Sequence, residues 1–160
     1  MSGWENFFVG ELGASAALTG LVFVGVSINL TKIVTGSYLP KRVLEALIAL
    51  VVVLFTSSLL LIPDQSFLAI GIEVLLIGLI DWMMISFLQF TSLRKMQALY
   101  RRSFVRSIVP CQMAALCFVL AGIVLLVLGT SGLYWVVAAT LLSFLAAFTD
   151  AWILIIEINR

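Results

Sequence analysis

Five carboxylates fall within or at the edge of long apolar runs: Glu11, Glu45, Glu73, Asp81 and Asp150. A charged group in hydrocarbon is costly, so each needs an account in terms of chemistry or of a partner. Counting ~1.5 Å per helical residue from the ends of the runs puts Glu11 and Glu73 within roughly 10 Å of one membrane surface, and Glu45, Asp81 and Asp150 at a similar depth from the other. Two such acidic layers would line a cation or proton path, because fixed negative charge at a narrow site attracts cations and repels anions. The plainer readings differ by residue. Glu45 follows Lys41 and Arg42 by four and three positions, the spacing of a helical ion pair. Glu11 is close enough to its helix end to reach headgroups. Asp81 and Asp150 have no basic neighbour in the chain and are the strongest site candidates; their alternative is a carboxyl hydrogen-bonded to an adjacent helix.

Enzyme constellations fit poorly. Two aspartates on different spans suggest an intramembrane aspartyl protease, but Gly78-Leu79-Ile80-Asp81 lacks the second glycine of GxGD, and Asp150 follows Thr149 rather than Tyr. Gly129-Thr130-Ser131-Gly132 matches the GxSG of rhomboid proteases, yet a chain with no His offers Ser131 no imidazole base and reads better as turning there. The lack of His also removes a His proton relay and a His metal site. Cys111 and Cys117 are six positions apart, about 240° around a helix, and form no CxxC pair. No catalytic residue, metal, cofactor or nucleic-acid partner is expected.

The elements that must carry these residues are set by composition. The 160-residue chain is 63% hydrophobic and 11% charged, more apolar surface than a water-soluble domain of this size can cover. Five segments, near 7–30, 42–62, 67–90, 108–128 and 133–156, approach or exceed the ~20 residues that cross hydrocarbon as a helix. Water-free surroundings require each to satisfy its own backbone, and the runs lack the alternation of a β-barrel. The expected fold is a single all-α transmembrane domain over residues 1–160, a bundle of five helices. With no Lys or Arg ahead of its first span and an apolar run continuing to Leu30, the N-terminus reads as a retained span rather than a cleaved signal. No internal repeat is evident, and five spans cannot divide into inverted halves.

All nine basic residues fall in alternate connections: Lys32, Lys41 and Arg42, then Arg94, Lys95, Arg101, Arg102 and Arg106, then Arg160. The positive-inside rule therefore places the N-terminus outside and the C-terminus in the cytoplasm. Trp4, Tyr134 and Trp135 at the outer interface, and Tyr38 and Trp152 at the inner one, agree with it. The stretch Leu93 to Arg106 either extends the third span or lies on the leaflet, where Arg94, Lys95, Arg101, Arg102 and Arg106 would contact anionic lipid.

Small residues mark packing faces. In the first span Glu11, Ser15 and Asn29 form a polar stripe, opposite Gly13, Ala16, Ala17 and Gly20, which allow close helix approach in this chain or a second copy. In the last span Ala139, Ser143, Ala146 and Ala147 share a side with Asp150, which should point into the bundle.

The run Gly13-Ala14-Ser15-Ala16-Ala17-Leu18-Thr19-Gly20-Leu21-Val22-Phe23-Val24-Gly25-Val26-Ser27-Ile28-Asn29-Leu30, preceded by Phe7-Phe8 and followed by Leu39-Pro40 and Glu45, resembles a group of small bacterial membrane proteins, some labelled modulator of FtsH protease. The resemblance is clearest over the first third of the chain. It implies a bacterial inner membrane and a non-enzymatic, regulatory role through a membrane-protein partner, and no catalytic residues. The small multidrug exporters, with one glutamate in their first span, compare through Glu11 but have four spans. The resulting expectation is a multi-pass protein that self-associates or binds a partner, the alternative being an oligomeric cation or proton channel or transporter.

Overall fold

The computed structural model describes the backbone of residues 3–36, 39–95 and 98–158, and their side chains apart from 93–107 and 157–158. Every regular element is helical: α1 (Glu5–Ile28), α2 (Leu30–Thr35), α3 (Leu39–Leu60), α4 (Phe67–Lys95), α5 (Ala98–Leu128), a 3-10 turn (Gly129–Ser131) and α6 (Gly132–Ile158). Among the described residues, four stretches are long and apolar enough to cross a membrane. The last, Ile108–Ile156, runs through α5, the turn and α6.

Local chemistry explains most of the boundaries. The first helix stops at Asn29, which leaves the helical region at φ −112°, ψ 18°; its side-chain Nδ2 donates to the Gly25 carbonyl at 3.1 Å, and the chain then makes the short α2. The expected span to Leu30 is thus interrupted at Asn29, its helix ending two residues early at Ile28, because an Asn side chain can replace a backbone donor and end a helix. α3 begins at Leu39, three residues ahead of the expected start, since Pro40 in the first turn has no amide that needs a partner. Ser66 Oγ accepts from the Ala69 amide at 3.2 Å and caps α4. α5 continues ten residues before the expected start at Ile108, passing through Pro110, and α4 runs to Lys95, so most of the basic connection has helical backbone. Gly129, at φ 59°, ends α5 in the left-handed conformation that glycine adopts without strain.

α3 is the central helix. Of its most apolar window 61% is buried, against 17% for α1, which packs mainly on α3 at the margin. α4, α5 and α6 form the other side, with Phe118, Val74, Leu125, Val53 and Val136 fully buried between them and α3. Glycines let α4 and α5 nearly touch: a Cβ on Gly78 would lie 2.7 Å from the Val119 nitrogen, and one on Gly122 would lie 2.6 Å from the Leu75 Cα. At the other margin Trp4 meets Tyr134 edge-on, ring centroids 5.1 Å apart, tying the start of α1 to the start of α6. Tyr38 and Arg160 lie outside the described residues.

Candidate functional site

The polar centre of the molecule assembles where α3, α5 and α6 meet. On α3, Arg42, Glu45, Ala46, Ala49 and Val53 recur at helical spacing and are all buried. On α6, Ala139, Ser143, Ala146, Ala147 and Asp150 are buried as well, and these small side chains leave room for what α3 carries. Arg42 Nη1 donates to Asp150 Oδ1 at 2.6 Å, with side chains only 4% and 1% exposed. Cys111 on α5 donates from Sγ to the other oxygen, Asp150 Oδ2, at 3.7 Å. Glu45 completes the group, its oxygen lying with Cys111 Sγ and an Asp150 oxygen within 4.8 Å of one another. Among the described residues, Glu45 Oε1 and the nearby Lys41 Nζ are buried with no hydrogen-bond partner.

This arrangement bears on two sequence expectations. Asp150 has a basic partner after all, 108 residues away in the chain. The Arg42 guanidinium, three positions before Glu45, bonds across to α6, while Arg42 and Lys41 remain the cations close to the Glu45 carboxylate. Physically, an Arg near a helix start has the length to cross to a neighbour, and a desolvated carboxylate there repays it with a charge-assisted bond. A thiolate and two carboxylates are donors that a borderline ion such as zinc accepts. With a guanidinium already on Asp150, however, a dication would sit against fixed positive charge, and the ion pair is the arrangement this geometry favours.

The other acidic candidates are dispersed. Glu11 on α1 is buried beside the Thr140 hydroxyl of α6, with Oε2 unpartnered among the described residues. Its stripe neighbour Ser15 donates to the Leu50 carbonyl at 2.5 Å. The polar stripe of α1 is therefore its inward face. Glu73 is half-buried and accepts both hydrogen bonds of the Gln65 amide, at 2.8 and 2.9 Å. Asp81 is buried on α4 with Oδ1 unpartnered among the described residues, and it takes no part in the Glu45–Cys111–Asp150 group. The two acidic layers inferred from depth are thus not two rings of facing carboxylates.

Gly13, Ala16, Ala17 and Gly20 are exposed, and a Cβ added at Gly10, Gly13 or Gly20 would meet nothing within 4 Å. Gly10 joins that face although the sequence reading omitted it; the three-residue step to Gly13 was the available signal. A second polar feature was also missed: Gln112 on α5 donates to Gln89 Oε1 at 2.8 Å and to Ser86 Oγ at 3.2 Å, and accepts from Trp82 Nε1 at 3.0 Å. Positions 82, 86 and 89 share one helical face, which is how it could have been found. The side chains of Arg94, Lys95, Arg101, Arg102 and Arg106, the expected anionic-lipid contacts, lie outside the described residues.

Between α1, α3 and α6 lies a cavity of about 390 Å³. Its walls are apolar, with Leu21 and Gly25 from α1, Ala46 and Leu50 from α3, and Phe148 and Leu154 from α6 among them, and its polar groups are Asn29, Arg42 and Asp150.

Comparison of the chain with protein-family models, with curated proteins and with solved structures found no match in any of the three.

Proposed function

We propose that this is a non-enzymatic protein of the bacterial inner membrane that crosses the bilayer five times, N-terminus outside, and acts by associating through α1 with a second copy of itself. The five crossings would be α1, α3, α4, α5 and α6, at 24, 22, 29, 31 and 27 residues each longer than the ~20 that hydrocarbon requires. The last apolar stretch, 49 residues from end to end, is divided by the turn at Gly129–Ser131, which supports counting it as two.

The observation that carries the association is the contrast among glycines. Gly71, Gly78, Gly122 and Gly132 each allow a close approach within the chain, whereas Gly10, Gly13 and Gly20 on α1 face open space. With Ala17 they stand at positions 10, 13, 17 and 20, steps of three, four and three residues that follow the heptad alternation of a left-handed helix pair. Small residues at such spacing favour helix association in lipid, where van der Waals contact replaces the hydrophobic drive. The resemblance of the N-terminal third to proteins labelled as protease modulators supports the broader class, in which the same face would meet another membrane protein. The channel reading has less support, since Arg42 answers Asp150, and Glu11 on α1 and Glu73 and Asp81 on α4 take no part in the Glu45–Cys111–Asp150 group.

The test is disulfide cross-linking in membranes, in a chain carrying Cys111→Ser and Cys117→Ser. Ala17→Cys is expected to yield covalent dimers on mild oxidation, and Leu145→Cys on the exposed face of α6 is not. Dimers from Ala17→Cys no more abundant than from Leu145→Cys would sink the reading.

A further inference from the structure

Of the five carboxylates that interrupt the apolar runs, four have a polar or cationic neighbour. Arg42 bonds Asp150, Arg42 and Lys41 lie close to Glu45, the Gln65 amide donates to Glu73, and Thr140 stands beside Glu11. Asp81 is different. Its side chain is 95% buried, Oδ1 has no hydrogen-bond partner among the described residues, and no charged group of those residues lies close enough to offset its charge. The elements packed against α4 explain this. On α4 itself Val74 and Ile85 share the stripe of Asp81 and belong to the apolar core, while Glu73, about two turns away, is held by Gln65. α5 carries no charge from Ile108 to Leu128; its ionisable groups there are Cys117 and Cys111, whose thiol donates to Asp150. The charged residues of α3 are Lys41, Arg42 and Glu45, gathered around Asp150, and the Gly129–Ser131 turn has none.

The chemistry of such a site admits few ligands. A lone carboxylate in an apolar core is far costlier than the acid, and the group sheds its charge by taking up a proton. A hard metal ion asks for about six oxygens or more, whereas Asp81 stands outside the Glu45–Cys111–Asp150 group. A cation from another chain cannot reach a side chain closed inside its own bundle. Water is kept out as well, for one turn earlier the backbones of α4 and α5 nearly touch, and a Cβ on Gly78 would lie 2.7 Å from the Val119 nitrogen. We infer that Asp81 is a proton-binding site, held as the neutral acid between α4 and the core, and that loss of this proton unseats α4 at that level. The carboxylate left behind must draw in water or turn out of the core, and either parts α4 from its neighbours. The inference is independent of self-association and of orientation in the bilayer.

The experiment is infrared spectroscopy of the full-length protein in phosphatidylcholine vesicles, with aspartate isotopically labelled at the side-chain carboxyl. The other aspartates are Asp64, exposed in a turn, and Asp150, bonded to a guanidinium. At neutral pH the carbonyl-stretch band of a protonated carboxyl is expected, moved by the label, absent in Asp81→Asn, and lost from the wild type as the pH is raised. A labelled spectrum with carboxylate bands alone at neutral pH overturns the assignment, and it is read on the unaltered chain, so a variant that fails to fold cannot hide it. The seat of α4 is read from Ile85→Cys in a chain carrying Cys111→Ser and Cys117→Ser, since Ile85 is buried one turn beyond Asp81. Its reaction with N-ethylmaleimide should rise sharply at the pH where the band is lost, and with Asp81→Asn added should show only the gradual rise of any thiol. Equal rises in both backgrounds, or a band that persists until the helical circular dichroism is lost, overturn the role of the proton in seating α4.

Discussion

A guanidinium and a carboxylate shut away from the solvent, as Arg42 and Asp150 are, gain little over two well-packed apolar side chains, yet either is costly to leave alone. Arg42→Ala and Asp150→Ala should therefore each lower stability by ~3–5 kcal/mol. The paired replacement Arg42→Met with Asp150→Leu should recover most of that loss. Reversible unfolding in mixed micelles, followed by circular dichroism, checks all three. A double variant as unstable as the singles would mean that the pair is needed for its charge, for instance to hold Glu45 and Cys111 in place. Sequence spacing made Glu45 the obvious partner for Arg42, because positions three and four apart on a helix are always neighbours. The actual partner is 108 residues distant, and no local rule indicates it.

Helices show the same division between local and distant causes. Their existence follows from apolar length, and several ends follow from single residues: Asn29 stops α1, Ser66 caps α4 and Gly129 terminates α5. Which face of a helix is used is another matter. On α1 the small face and the polar face are both evident from spacing, but only packing shows that Glu11 and Ser15 turn inward while Gly13 and Gly20 stay open. Glycines on α4 and α5 should accordingly behave differently from those on α1. Gly122→Val would drive a side chain into the Leu75 backbone, 2.6 Å away, and should cost ~1–3 kcal/mol or force the two helices apart. Gly13→Val should leave thermal unfolding of the monomer unchanged while reducing the dimer seen by cross-linking. The opposite pattern would place the association interface elsewhere.

For the molecule as a whole, the arrangement to be tested is its orientation in the bilayer. With five crossings, all nine Lys and Arg residues share one side, and so strong a bias should fix a single topology. In a chain lacking Cys111 and Cys117, a cysteine at Thr130 is expected to react with a membrane-impermeant maleimide added to intact cells, and one at Thr35 only after the membrane is broken. Labelling at both positions in intact cells would contradict the orientation.

Composition alone decides that this chain is helical and suited to lipid, because hydrocarbon offers the backbone no other partner than itself and the apolar runs have the length to use it. Cap and turn residues decide most helix ends for the same reason, since their hydrogen bonds close within a few positions. The meeting of Arg42, Glu45, Cys111 and Asp150, the separation of Asp81 from them, and the cleft between α1, α3 and α6 were decided only in three dimensions. Each depends on how closely one helix approaches another and at what rotation. Those quantities come from the summed packing of side chains over the whole bundle, and the period of a single helix does not contain them.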